Sequence, residues 1–154
     1  MRNMFDLTGR VALVTGGAYG IGFAIAEALA VAGAKIAFNC RGQSNLERAM
    51  ADYAAKGIEA QGYIADVTDE GQVAELARKI EADLGGVDIL VNNAGVIKRV
   101  PMTEMSVEDF RQVVDIDLIG PFICAKAVIP GMVERGRGKI INICSMMSEL
   151  GRET

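Results

Sequence analysis

The sequence predicts a doubly wound parallel α/β sheet. Three observations carry this: short, wholly apolar runs of strand length, stretches of helical apolar spacing that alternate with them, and glycines at the joins. Strands covered by helices on both faces are apolar at successive positions rather than at alternate ones, and that is how these runs read. With 154 residues and 51% hydrophobic content, residues 1–154 form one domain with a sizeable core.

The run 11–14 is continuously apolar and ends in glycines, which marks a first, fully buried strand. From Gly20 to Ala32, the residues Ile21, Ile25, Ala28, Leu29 and Ala32 recur at helical spacing, and Gly33 stops the helix. Residues 36–38 form a second strand. Ser44 and Glu47 have capping-box spacing and open a second helix, which Gly57 ends before a strand over 58–65. A helix over 68–84, a strand over 87–91, a long helical region over 106–134 and a strand over 139–143 complete the alternation. Pro121 is placed to kink or divide the long helix. Ligands of such sheets bind at the carboxyl ends of the strands, so the site is expected there.

Composition narrows the function. A formal net charge of −4 argues against nucleic-acid or anionic-membrane surfaces, which need clustered Lys and Arg. Cys40, Cys124 and Cys144 are far apart and no histidine is present, so no metal site is expected. The N-terminus meets Asp6 before any signal-like apolar run, and no stretch reads as the roughly 18 apolar residues of a membrane span. A cytoplasmic protein is expected.

The segment TGGAYGIG at 15–22 joins the first strand to the first helix. A dinucleotide's pyrophosphate would there meet backbone N–H groups and the positive end of a helix dipole. A plain strand-to-helix turn would also use glycine for backbone room. The setting favours the cofactor, because the turn lies in an N-terminal βαβ unit. Asp66-Val67 follow the third strand, Asn92-Asn93-Ala94-Gly95 the fourth, and Ser145 the fifth.

These four motifs, in this order, resemble those of the short-chain dehydrogenase/reductase family across essentially the whole chain. The resemblance implies a Rossmann-type fold that is C-terminally incomplete here. It implies cofactor contacts at Gly16, Tyr19, Gly20, Ile21, Gly22, Arg41, Asp66, Val67, Asn93, Ala94 and Gly95. It makes Ser145 the catalytic serine that orients the substrate oxygen, with the nicotinamide carrying the hydride. The family's Tyr-x-x-x-Lys pair is expected beyond Thr154, so the 154-residue chain alone is expected to be inactive. It is also expected to expose one sheet edge and some helix faces, the complete protein being a homo-oligomer. Asp117 stands where many relatives have Asn, whose backbone helps hold a water near the lysine; a buried carboxylate there would alter the proton relay.

Cofactor and substrate follow from the same resemblance. Cys40 falls where NAD-selecting members carry Asp, and Arg41 beside it suits a 2′-phosphate, so NADP is expected ahead of NAD. Tyr19 points the other way, because many NADP-using relatives have a basic residue there. The segment from Cys144 to Thr154 and the basic extension Lys98-Arg99 resemble those of gluconate 5-dehydrogenases. Lys98 and Arg99 are accordingly expected to hold a sugar-acid carboxylate, although a solvated basic loop reads the same way. The expected reaction is reversible oxidation of D-gluconate at C5. 2-Dehydro-3-deoxy-D-gluconate 5-dehydrogenase is the rival enzyme, and a non-catalytic nucleotide-binding fragment is the rival of another class.

Overall fold

The computed structural model describes residues 4–146. In order they form β1 (Val11–Thr15), α1 (Gly20–Val31), β2 (Lys35–Cys40), α2 (Gln43–Ala55), β3 (Ala60–Ile64), α3 (Glu70–Leu84), β4 (Ile89–Asn92), α4 (Val107–Val114), a π-helical turn (Asp115–Ile119), α5 (Gly120–Glu134) and β5 (Lys139–Asn142). All strands pair in parallel, in the order β3-β2-β1-β4-β5. The chain runs outward from β1 to β3, then returns to β4 on the other side. That reversal opens a crevice at the carboxyl ends of β1 and β4.

Successive residues of each central strand enter opposite layers. Val11 and Leu13 of β1, Ala37 of β2 and Leu90 of β4 join Leu76 and Ile80 of α3 and Cys124 and Val128 of α5. Ala12, Val14, Ile36, Phe38, Ile89 and Val91 pack on the other face with Ala26 of α1 and Ala49 and Tyr53 of α2. The two-sided burial explains why these strands lack apolar/polar alternation.

Two readings change, and the expected break near Pro121 takes a specific form. The Ser44–Glu47 capping box does not form: Gly42 is the N-cap of α2, without a side-chain cap, and Glu47 accepts from the Gln43 amide at 2.7 Å. That i,i+4 pair uses the carboxylate that would have reached back. Side-chain caps occur instead at Asp69, which accepts from Gln72 N, and Ser106, which accepts from Asp109 N. The long helical region is divided by the π turn, immediately before Pro121. A proline ring clashes with the carbonyl four residues back, here Asp117; the wider turn, closed by Gly120 N–H on the Asp115 carbonyl, gives it room.

One stretch does reach the length of a membrane span, contrary to the sequence expectation. Taken together across the π turn, the helical stretch over 107–134 is long and apolar enough, by length and composition, to cross a membrane. One face of it belongs to the core, where Ile116, Cys124, Val128 and Met132 pack against the sheet side. Its other side, with Phe110, Leu118, Phe122 and Val133, stays exposed, as do Ile140 and Ile141 of β5. This matches the expected open edge and uncovered helix faces.

At the opposite, amino-terminal rim, Asp88 closes the sheet. Its buried carboxylate accepts from Val11 N–H at 3.1 Å and from Arg137 Nε at 2.9 Å, tying the segment before β5 to β1. Burial opposes its ionisation. The Arg137 and Val11 hydrogen bonds, with the charges of Arg137 and Arg10, outweigh this and hold its pKa below the ordinary value.

Candidate functional site

The glycine turn leaves β1 through Gly16, at φ +64°, a left-handed conformation suited to glycine. A methyl on Gly22 would meet the Asn93 amide nitrogen and lie 2.6 Å from the Gly16 carbonyl oxygen. Glycine at 22 therefore lets α1 start directly against the turn. No side chain caps α1, whose N-cap is Tyr19, and its first turn holds no acidic residue. Its leading N–H groups and dipole are thus available to an anion.

Thr15 locks the turn to the segment after β4. Its hydroxyl accepts from Asn93 N–H and Ala94 N–H, both at 3.0 Å, and donates to the Val91 carbonyl at 3.4 Å. Asn93 Nδ2 returns a bond to the Thr15 carbonyl at 2.9 Å. Asn39, at the end of β2, accepts from Gly16 N–H and donates to the Ala65 carbonyl. Four strand ends are joined into one rigid rim.

One cleft opens on this rim. Gly16, Tyr19, Arg41, Asp66, Val67, Ala94 and Gly95 line it, so seven of the expected cofactor positions share a wall. Gly20 and Ile21 begin α1, while Gly22 and Asn93 pack beneath the turn. Cys40 is buried beside the cleft; burial raises its thiol pKa, more than the bond to the Gly42 carbonyl lowers it, leaving a neutral group where a carboxylate would repel phosphate. Arg41, largely exposed, reaches Asp66 Oδ2 at 3.9 Å across the cleft. Asp66 also accepts from the Thr68 N–H and hydroxyl, which orients its carboxylate. The start of α2 next to Arg41 has neither a side-chain cap nor an acidic first turn.

Beyond β4 the placements differ. Lys98 is engaged by Asp109 of α4 at 2.7 Å. Arg99 is exposed and has no ion-pair partner among the described residues. Ser145 is exposed three residues past β5, whose end is held to β4 by Ile143 N–H on the Asn92 carbonyl. Residues 147–154, part of the segment compared around Ser145, lie outside the described residues. Asp117 is exposed rather than buried and accepts from Val96 N–H at 2.9 Å, anchoring the loop after β4. Sequence reasoning missed Thr15 and Asn39, as well as Asn45, which lines the cleft, and Tyr53, whose hydroxyl donates to the Gly17 carbonyl. A polar residue at the end of an apolar strand was the available signal for Thr15 and Asn39.

A glycine-cradled strand-end cleft at the sheet's switch point defines a dinucleotide-binding α/β protein. Residues 10–154 match the short chain dehydrogenase family, and the chain belongs to it. It is 52% identical over 153 residues to the 2-dehydro-3-deoxy-D-gluconate 5-dehydrogenase of Formosa agariphila, covering 99% of this chain and 58% of that protein. It is 41% identical over 150 residues to the gluconate 5-dehydrogenase of Gluconobacter oxydans, covering 97% and 59%. Among solved structures, the 2-keto-3-deoxy-D-gluconate dehydrogenase of Streptococcus agalactiae matches with a TM-score of 0.84 at 61% identity, over 97% of this chain and 56% of that one. The gluconate 5-dehydrogenase of Burkholderia cenocepacia, in complex with NADP and tartrate, matches with a TM-score of 0.90 at 41% identity, over 97% and 59%. The chain spans less than three fifths of the length of these relatives.

Proposed function

We propose that the complete protein is an NADP-dependent oxidoreductase that reversibly oxidises the C5 hydroxyl of a sugar acid. The observation that carries this reading is the cleft that joins the glycine turn, Arg41, Asp66 and the Ala94-Gly95 segment on one rim. The residues suit the dinucleotide: the α1 N-terminus would take the pyrophosphate, Asp66 and Val67 would hold the adenine end, and Ala94 and Gly95 the nicotinamide end. Arg41, Asn45 and the uncapped start of α2 suit a 2′-phosphate, and the neutral Cys40 does not repel it, which favours NADP over NAD. When bound, the nicotinamide supplies hydride acceptance and donation. Ser145 would hold the substrate oxygen by a hydrogen bond, so that the C5 hydroxyl proton and the C5 hydride leave fixed atoms, the proton passing to the tyrosine of the Tyr-x-x-x-Lys pair expected beyond Thr154.

The substrate carboxylate falls to Arg99. Lys98 already has a partner in Asp109, whereas Arg99, in the loop after β4, is exposed and makes no ion pair among the described residues. Between the two sugar acids, the higher identities of 52% and 61%, against 41%, favour 2-dehydro-3-deoxy-D-gluconate over D-gluconate. The exposed apolar faces of the long helix and β5 fit a homo-oligomer, and the reading places it in the cytoplasm. The test is a panel of sugar acids and neutral polyols with each nicotinamide cofactor, on the complete protein and its Ser145→Ala variant. NADP-linked turnover confined to sugar acids, and largely lost in the variant, is expected. Unchanged kcat in Ser145→Ala removes the serine from the site, and turnover of polyols alone removes the substrate class.

A further inference from the structure

The glycine turn is held from behind by two side chains outside every motif read from the sequence. Asn39 of β2, 2% exposed, accepts from Gly16 N–H at 3.3 Å and donates to the Ala65 carbonyl at 2.9 Å. Tyr53 of α2, fully buried, donates its hydroxyl proton to the Gly17 carbonyl at 2.7 Å. Its ring stacks on Phe23 at 4.2 Å and tilts against Phe38 at 5.1 Å, so the hydroxyl is delivered from a fixed base.

The peptides here are trans, and in a trans peptide the C=O and the following N–H point in opposite directions. Each bond therefore sets the direction of a group it does not touch. Tyr53 draws the Gly17 carbonyl inward, which sends Ala18 N–H away from Tyr53, at a residue that lines the cleft. Asn39 takes Gly16 N–H and so turns the Thr15 carbonyl toward Asn93, whose Nδ2 meets it at 2.9 Å. Gly16 N–H is thereby committed within the protein, and the donors left to a phosphate are those further along the turn.

We propose that Tyr53 and Asn39 are positioning residues for the dinucleotide, fixing the peptides of residues 15–18 so that the turn presents preset donors to the pyrophosphate. The inference rests on the cofactor reading above. A donor that need not be reoriented on binding adds affinity by lowering the ordering cost.

Tyr53→Phe keeps the ring and removes one oxygen; Asn39→Leu keeps the branched shape and heavy-atom count, though not the volume, and removes both hydrogen bonds. In the complete protein, the dissociation constant for NADPH is measured by fluorescence titration, beside kcat at saturating cofactor, KM for the sugar acid and the unfolding midpoint. Tyr53→Phe is expected to weaken NADPH binding roughly three- to tenfold, the loss of one net hydrogen bond. Asn39→Leu is expected to weaken it more. Saturating kcat and sugar-acid KM should stay within about twofold, the signature of lost uniform cofactor binding. A variant that unfolds earlier yet binds NADPH like the wild type overturns the proposal, because lower stability alone does not change the affinity of molecules that remain folded. Should Asn39→Leu fail to fold, Tyr53→Phe alone decides. A wild type that binds no nicotinamide cofactor overturns the functional reading together with this one; a binding wild type matched by Tyr53→Phe overturns this one alone.

Discussion

Replacing Arg41 with alanine tests the cofactor reading most directly. The folded chain loses little, since the only ion pair Arg41 makes is to Asp66 at 3.9 Å, among the described residues, with its own side chain 63% exposed. Exposed pairs of this kind contribute about 0–1 kcal/mol. A guanidinium hydrogen-bonded to a phosphate contributes about 1.5 to 3 kcal/mol. With most of the side chain in water, and with Asp66 competing for it, the lower end applies, which is roughly tenfold in affinity. The ratio of kcat/KM for NADP to that for NAD in Arg41→Ala should therefore fall about tenfold, nearly all through NADP. The assay measures both cofactors on the complete protein at saturating sugar acid and low salt. Equal losses for the two cofactors, or none, would show that Arg41 does not read the 2′-phosphate. Arg41→Asp should lower the ratio further, because the new carboxylate repels the phosphate.

Gly22→Ala drives a methyl into the Gly16 carbonyl and the Asn93 amide, so denaturant unfolding should show a loss of about 1 to 3 kcal/mol together with weaker cofactor binding. An unchanged midpoint and affinity would contradict that packing. Asp88 is held ionised below its ordinary pKa in the folded chain, so the unfolded state binds more protons in acid. Its stabilisation is therefore full above the unfolded value of about 3.9 and lost as pH falls through the lower folded value. Asp88→Asn should flatten the acid limb of stability below the ordinary aspartate pKa, measured by urea unfolding, and a limb as steep as the wild type's would refute the assignment. Arg99→Leu should cost roughly one to two powers of ten in kcat/KM on sugar acids and nothing on a neutral polyol. Lys98→Leu should cost less, because Asp109 already holds that ammonium; equal effects on acid and polyol would make both residues plain loop charges.

The order of strands and helices was legible because it rests on local periodicity. Buried parallel strands are continuously apolar, helices repeat every three to four residues, and Gly33 and Gly57 stand where helices stop. The glycine turn was legible from its place between a strand and a helix, whereas Asp66-Val67 and Asn93-Ala94-Gly95 were legible through the resemblance of their motifs to the family's. The tertiary structure decided what depends on groups distant in sequence. It commits Gly16 N–H to Asn39, 23 residues away, and fixes the Gly17 carbonyl from Tyr53, 36 residues away. It spends Lys98 on Asp109, holds Asp117 exposed against Val96 N–H, and places a π turn ahead of Pro121. A hydrogen-bond donor or a charge takes whichever partner the fold brings within about 3 Å, and no local pattern records that choice.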